Sequence, residues 1–192
     1  ESIFHNKKLF SVHPALTSHQ KLGDEGAANH MLINSNHGEV GFHIFVYGSD
    51  GEQGSTIHGF PQRQTKIASE SIARLHGICL TKCLFFQQSP QAIAQGVFHN
   101  DVIAMSCNRR LIIHEHALIP AHQEQLRAFI AQHPSFVLHE ISEKELSVAD
   151  AVSTYFFNSQ LLNNGDGRYR LVAPAECAEH TSARALIDRL LS

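Results

Sequence analysis

Apolar positions recur along this chain at periods that name its elements. Residues 39–47 are predominantly apolar and predict a strand, closed by the turn-forming Gly48-Ser49-Asp50-Gly51. The polar stretch up to residue 61 reads as a loop. Ile67, Ser71, Ile72 and Leu75 then fall at helical spacing over 65–75, with Gly77 as a stop. Residues 83–86 predict a short strand, and Ser89-Pro90 opens a brief helix with the serine as cap and proline in the first turn. Strands are expected over 97–105 and 111–113, joined by the polar turn Cys107-Asn108-Arg109-Arg110. A helix follows over 121–132, a strand over 136–141, a helix over 148–162 and a strand over 169–172. The last element is an amphipathic helix over 175–191, interrupted by nothing stronger than Thr181-Ser182. Helices alternating with strands, some of the strands in neighbouring pairs, predict an α/β fold with mixed sheets. No linker or low-complexity segment divides the chain.

Composition narrows the functional classes. With 192 residues, 43% of them hydrophobic and 17% charged, the chain suits one folded domain, or one and a half. No apolar run approaches the roughly 18 to 20 residues of a membrane span. Fifteen Lys and Arg against 18 Asp and Glu give a net charge of −3, without the basic field of a nucleic-acid binder. Four cysteines (Cys79, Cys83, Cys107, Cys177) are too few and too irregular for a disulfide scaffold. No secretory signal opens the chain, so a cytoplasmic location is expected. Fifteen histidines are many, and such a count fits metal sites, pH sensing or scattered surface residues.

Two segments carry candidate chemistry. Between Gly23 and His30 lie two glycines, two acids, two alanines and an amide; small residues admit close approach of a ligand, and the carboxylates can hold a cation or orient a histidine. The same residues also fit a helix start, with Asp24 as cap and Glu25 in the first turn. In Val97-Phe98-His99-Asn100-Asp101-Val102-Ile103 three polar residues interrupt an apolar strand, which costs burial energy unless they are paired or have a task. On a strand, His99 and Asp101 would share one face about 6.5–7 Å apart. The alternative is a strand end whose polar cluster reaches solvent. His114-Glu115-His116 would place two histidines on one strand face, and Cys79 and Cys83 stand four apart. Neither completes a four-ligand metal pattern, and the nucleophile elbow and the phosphate-binding loops are absent.

Five strings, in order, resemble the N-succinylarginine dihydrolase family: Leu22-Gly23-Asp24-Glu25-Gly26-Ala27-Ala28-Asn29-His30, Phe45-Val46-Tyr47-Gly48, Arg63-Gln64-Thr65, the run from Gln95 to Ala104, and the run from Asp150 to Leu162. The likeness extends from about Phe10 to the end of the chain. It implies a pentein-type α/β propeller of five blades, shared by enzymes that modify guanidinium groups, of which this chain would hold about three. It implies a hydrolase of arginine catabolism that converts N2-succinylarginine and two waters into N2-succinylornithine, two ammonia and carbon dioxide. Carried over by motif, Glu25 and His99 are catalytic, while Arg63 and Asp101 bind substrate. No cofactor or metal is implied, and a homodimer is.

The residue types suit that chemistry. A carboxylate such as Asp101 grips a planar guanidinium through charge-assisted hydrogen bonds. A thiolate attacks the guanidinium carbon, and a histidine protonates the departing ammonia and then activates water. Glu25 orients that imidazole, and the fork of Arg63 suits a succinyl carboxylate. In the family the nucleophilic cysteine stands in a Gly-Gly-Gly-Pro-Ala-Cys segment, which this sequence does not contain. Residues 1–192 are therefore expected to be a contiguous central part of one catalytic domain, without the family's N-terminal portion and the cysteine segment, and inactive alone. Two other readings stay open: a non-catalytic pentein-like domain that binds a guanidinium ligand, and a histidine-rich metal-binding module.

Overall fold

The computed structural model describes residues 3–19, 21–24, 26–35, 41–49, 51, 56–165 and 168–191. A 3₁₀ turn over Ala27–Asn29 leads into β1 (His30–Ile33), which pairs antiparallel with β2 (Phe42–Tyr47). A two-residue hairpin, β3 (Thr56–Ile57) and β4 (Phe60–Pro61), precedes α1 (Lys66–Leu75). The chain then returns as β5 (Cys83–Gln87), parallel to β2, so the first mixed sheet runs β1-β2-β5. After α2 (Pro90–Ala94) and a 3₁₀ turn over Asn100–Val102 the same arrangement repeats. Strand β6 (Ala104–Cys107) pairs antiparallel with β7 (Arg110–His114), and α3 (Pro120–Gln132) leads to β8 (Val137–Ile141), parallel to β7. Helix α4 (Val148–Thr154) and a 3₁₀ turn over Phe156–Asn158 bring in the hairpin β9 (Gln160–Asn163) and β10 (Tyr169–Val172), followed by α5 (Glu176–Glu179) and α6 (Thr181–Leu191). The architecture is mixed α/β with several small sheets, as the periodicity predicts. No helix among the described residues is long and apolar enough to cross a membrane.

Local chemistry explains the helix starts. Thr65 caps α1 by accepting from the Ala68 amide (3.1 Å), Ser89 caps α2 with Pro90 at its first position, and Ser147 caps α4 through the Asp150 amide (3.0 Å). Gly77, at φ +64°, ends the turn after α1 without the strain a side chain would bring. Strand β7 is apolar on both faces: Leu111 and Ile113 enter a core shared with β1, β2, α2 and α3, while Ile112 enters a second core with Phe156, Phe157, Cys177 and Leu186.

Several boundaries differ from the periodicity reading. The strand expected over 97–105 begins only at Ala104, because Asn100–Val102 forms a 3₁₀ turn. Val102 and Ile103 are adjacent and both fully buried, which an alternating strand facing one core cannot achieve. His99 and Asp101 therefore do not share a strand face. The helix expected over 148–162 stops at Thr154; Tyr155 is left-handed (φ +50°), and Phe156 and Phe157 are buried in succession. Ser153 and Thr154 hydroxyls both donate back to the Asp150 carbonyl, competing with helical bonding there. The final helix breaks at His180, which is extended. The region read as a loop contains β3 and β4, and β1 lies in a stretch with no strand prediction. Residues 39 and 40 of the first expected strand lie outside the described residues.

Candidate functional site

Strand β2 ends at Gly48, where a Cβ would stand 2.5 Å from the Arg63 carbonyl oxygen. Only glycine lets the two segments approach this closely, and the Gly48 amide donates to that oxygen at 2.7 Å. The contact fixes Arg63 and Gln64 just ahead of α1. Gln64, fully buried and at φ +39°, accepts from the Ser69 hydroxyl (2.5 Å) and donates to the Asp24 carbonyl (2.7 Å). The Thr65 hydroxyl donates to the Lys21 carbonyl (2.5 Å). The segment before the first 3₁₀ turn is thus tied to the start of α1.

That tie brings Asp24 under Arg63. Oδ2 of Asp24 accepts from Arg63 Nε at 2.9 Å, and Oδ1 from Nη2 at 3.3 Å. Asn29 donates to Oδ2 at 3.4 Å, and His99 Nε2 stands 3.6 Å from the same oxygen, an ion-pair separation when the imidazole is protonated. The Asp24 side chain is 8% exposed, His99 19% and Arg63 37%. Burial alone would raise the Asp24 carboxyl, but His99 and the Arg63 guanidinium outweigh it and hold the group well below the usual carboxylate range. Arg63 is in turn pushed up by its hydrogen bonds to Asp24.

His99 precedes the turn over Asn100–Val102, and Asp101 stands inside that turn. Burial pushes the Asp101 carboxyl up, and the nearby His99 opposes this. The Asp101 carbonyl accepts from Asn158 Nδ2 at 2.9 Å, which links the turn to the 3₁₀ turn over Phe156–Asn158. Of the four residues singled out in the sequence, Arg63 and His99 meet at one carboxylate, and Asp101 lies two residues from His99. Glu25 lies outside the described residues. The residue that joins the others is Asp24, for which the sequence left two readings, a carboxylate that holds a cation or orients a histidine and a helix cap; its contacts with Arg63 and His99 fit the first. The helix there is only the three-residue turn over Ala27–Asn29, its cap position falls on Gly26, and Asp24 is left-handed at φ +61°.

The metal-like signals take other roles. Strand β7 ends at His114, so His116 does not share its strand face. His114 is fully buried; Nδ1 accepts from the His116 amide (3.0 Å) and Nε2 donates to the Leu146 carbonyl (2.9 Å). No group of three His, Cys, Asp or Glu among the described residues is placed to hold a metal ion. Cys83 donates to the Cys79 carbonyl, Cys107 to the Asn108 side chain and Cys177 to the Thr154 carbonyl. Among the described residues no hydrogen bond joins a cysteine to Asp24, Arg63, His99 or Asp101.

The whole chain, residues 1–192, matches the family model of succinylarginine dihydrolase. That family is a hydrolase of arginine catabolism whose substrate is N2-succinylarginine. The match spans every element of the fold and every residue of the Asp24 cluster, and the chain belongs to the succinylarginine dihydrolase family.

Proposed function

We propose that this chain supplies the acid/base and substrate-anchoring groups of a cysteine-dependent hydrolase acting on N2-succinylarginine. The meeting of Arg63 and His99 at one buried carboxylate carries the reading. Arg63 receives a succinyl carboxylate through its fork of N–H donors, and Asp101 receives the substrate guanidinium. A thiolate adds to the guanidinium carbon, and His99 gives a proton to the departing ammonia. His99 then takes a proton from water as it attacks the covalent adduct, which releases the thiolate and leaves a ureido group. A second round releases the second ammonia and carbon dioxide and leaves the amine of N2-succinylornithine. Glu25, carried over by motif, orients the imidazole.

The thiolate belongs to the Gly-rich cysteine segment of the family, outside these 192 residues, which then form the central part of a single catalytic domain. The repeat of two antiparallel strands, a helix and a parallel strand in the β1-β2-β5 and β6-β7-β8 sheets supports about three blades of a pentein propeller. β9, β10 and α6 supply the first three elements of a third such unit. A cytoplasmic homodimer completes the proposal.

The test is ammonia release from N2-succinylarginine by the enzyme at its natural full length, by its His99→Ala variant and by the 192-residue chain. The full-length enzyme is expected to release ammonia and the other two to release none. Unchanged turnover in His99→Ala overturns the role of His99. Ammonia from the 192-residue chain makes one of its own four cysteines the nucleophile. Silence from the full-length enzyme favours the second reading, a non-catalytic guanidinium-binding domain, which fits the separation of the described cysteines from the cluster.

A further inference from the structure

We propose that Asp24 is the positioning residue of this site: its carboxylate holds one edge of Arg63, so that the other edge faces the succinyl carboxylate, and sets His99 on the same oxygen. The inference rests on the roles given above to Arg63 and His99.

A guanidinium carries five N–H donors. Asp24 takes the Nε–H and one Nη2 hydrogen, a side-on pair at 2.9 and 3.3 Å. Two hydrogens on Nη1 and one on Nη2 are left, and one from each nitrogen makes the end-on fork that matches a second carboxylate. Exposure agrees with this division, since Asp24 is 8% exposed and Arg63 37%. The clamped edge is inside and the remaining donors belong to the more open side chain.

Asp24 is itself immobilised from two directions. Its backbone is held left-handed, a conformation that aspartate tolerates better than most residues, and its carbonyl accepts from buried Gln64 at 2.7 Å. Its Oδ2 is shared by Arg63 Nε, Asn29 Nδ2 and His99 Nε2. Without the shared carboxylate, Arg63 and a protonated His99 would be two neighbouring cations with nothing between them. With it, the imidazolium formed when His99 takes a proton from water has a fixed counter-charge, while Arg63 keeps its orientation.

The experiment is Asp24→Asn, which keeps the shape and removes the charge, in the enzyme at its natural full length. It is assayed with N2-succinylarginine and with N2-acetylarginine, whose acyl group lacks the distal carboxylate. A lost hydrogen bond to a charged group corresponds to about 10–100-fold. KM for N2-succinylarginine is expected to rise by about that factor while KM for N2-acetylarginine stays the same, with kcat reduced for both. Equal losses for the two substrates, or none, overturn the proposal. In parallel, the Arg63 Nε–H and His99 ring-nitrogen NMR resonances of the 192-residue chain are compared with those of its Asp24→Asn variant; both are expected to shift. If they do not, Asp24 positions neither group, whatever the kinetics. If the unsubstituted full-length enzyme releases no ammonia, the assigned substrate is wrong, and the two resonances still decide the role of Asp24.

Discussion

Acid should weaken this fold through one histidine in particular. His30 opens β1 with its ring stacked on Phe45 (4.4 Å between centroids, 7° between planes) and its Nε2 2.9 Å from Nδ1 of His43. Only one proton fits between those nitrogens, and His43, Ile72, His76 and Ile78 line the cavity beside the ring. Burial, followed by the charges of His43 and His76, pushes the His30 imidazole down to about 4 from an ordinary 6.5. The folded state therefore binds fewer protons than the unfolded state between these values. Stability from this group is fully present above the unfolded value and is lost as pH falls through the folded one. At about 1.4 kcal/mol for each unit of difference, the loss between about pH 7 and about pH 5 is on the order of 2 kcal/mol.

His30→Phe isolates that loss. Phenylalanine keeps a flat ring for Phe45 and cannot titrate, although it gives up the hydrogen bond to His43, at a cost of about 1 kcal/mol near neutral pH. Urea unfolding of both proteins at about pH 7 and about pH 5 gives four stabilities. The loss on acidification should be smaller in the variant by about 2 kcal/mol, with His114 and His139, both also pushed down by burial, contributing equally to each protein. Equal losses in the two proteins would refute the reasoning. They would mean that the His30–His43 contact opens or accepts a second proton without strain.

Two further outcomes follow from burial. Leu126, fully buried on α3, should cost about 2–5 kcal/mol on truncation to alanine, whereas Ile67, 44% exposed on α1, should cost less than about 1 kcal/mol; denaturant midpoints of the two variants check this, and equal costs would contradict the core assignment. Cys79 is exposed, and hydrogen bonding from Thr81 lowers its thiol, while burial raises that of Cys177. Iodoacetamide should therefore label Cys79 first and Cys177 last in a timed peptide map, and the reverse order would rule out this exposure pattern.

Helices with a chemical start were legible in the sequence. Thr65, Ser89 and Ser147 each cap the helix that follows, and Gly77 ends the first. Strands with an apolar run were legible too: β2, β5, β7, β8 and β10 all stand within a few residues of the periodicity reading. The failures have a common cause. At Val102-Ile103 and at Phe156-Phe157 two adjacent residues are both buried, and a short apolar run does not say whether the backbone between them is strand, helix or 3₁₀ turn. Strand β1 was invisible because its four residues alternate in burial while Leu32, at 41% exposed, breaks the expected coincidence of apolar and inside. Among the site residues, Arg63, His99 and Asp101 came from the motifs. Asp24 stood in the same motif, but no local signal separates an aspartate that caps a helix from one that holds an arginine 39 residues away.

Those misread turns are where the site is built. A 3₁₀ turn stands just ahead of each of three strands: Ala27–Asn29 before β1, Asn100–Val102 before β6 and Phe156–Asn158 before β9. The middle turn packs against both of the others. A strand begun there would direct its polar groups into a ladder, with neighbours only in its own sheet. A turn instead frees side chains and carbonyls to reach other segments, as Asn158 does to the Asp101 carbonyl and His99 does to Asp24. The polar residues that interrupt the apolar run at 99–101 therefore delay the start of β6 and bring His99 to Asp24 and the Asp101 carbonyl to Asn158. Asp24 answers His99 and Asn158 answers the Asp101 carbonyl, whereas the buried Asn100 side-chain amide has no partner among the described residues, so a substitution such as Asp24→Asn should disturb Arg63 and His99 before it disturbs either core.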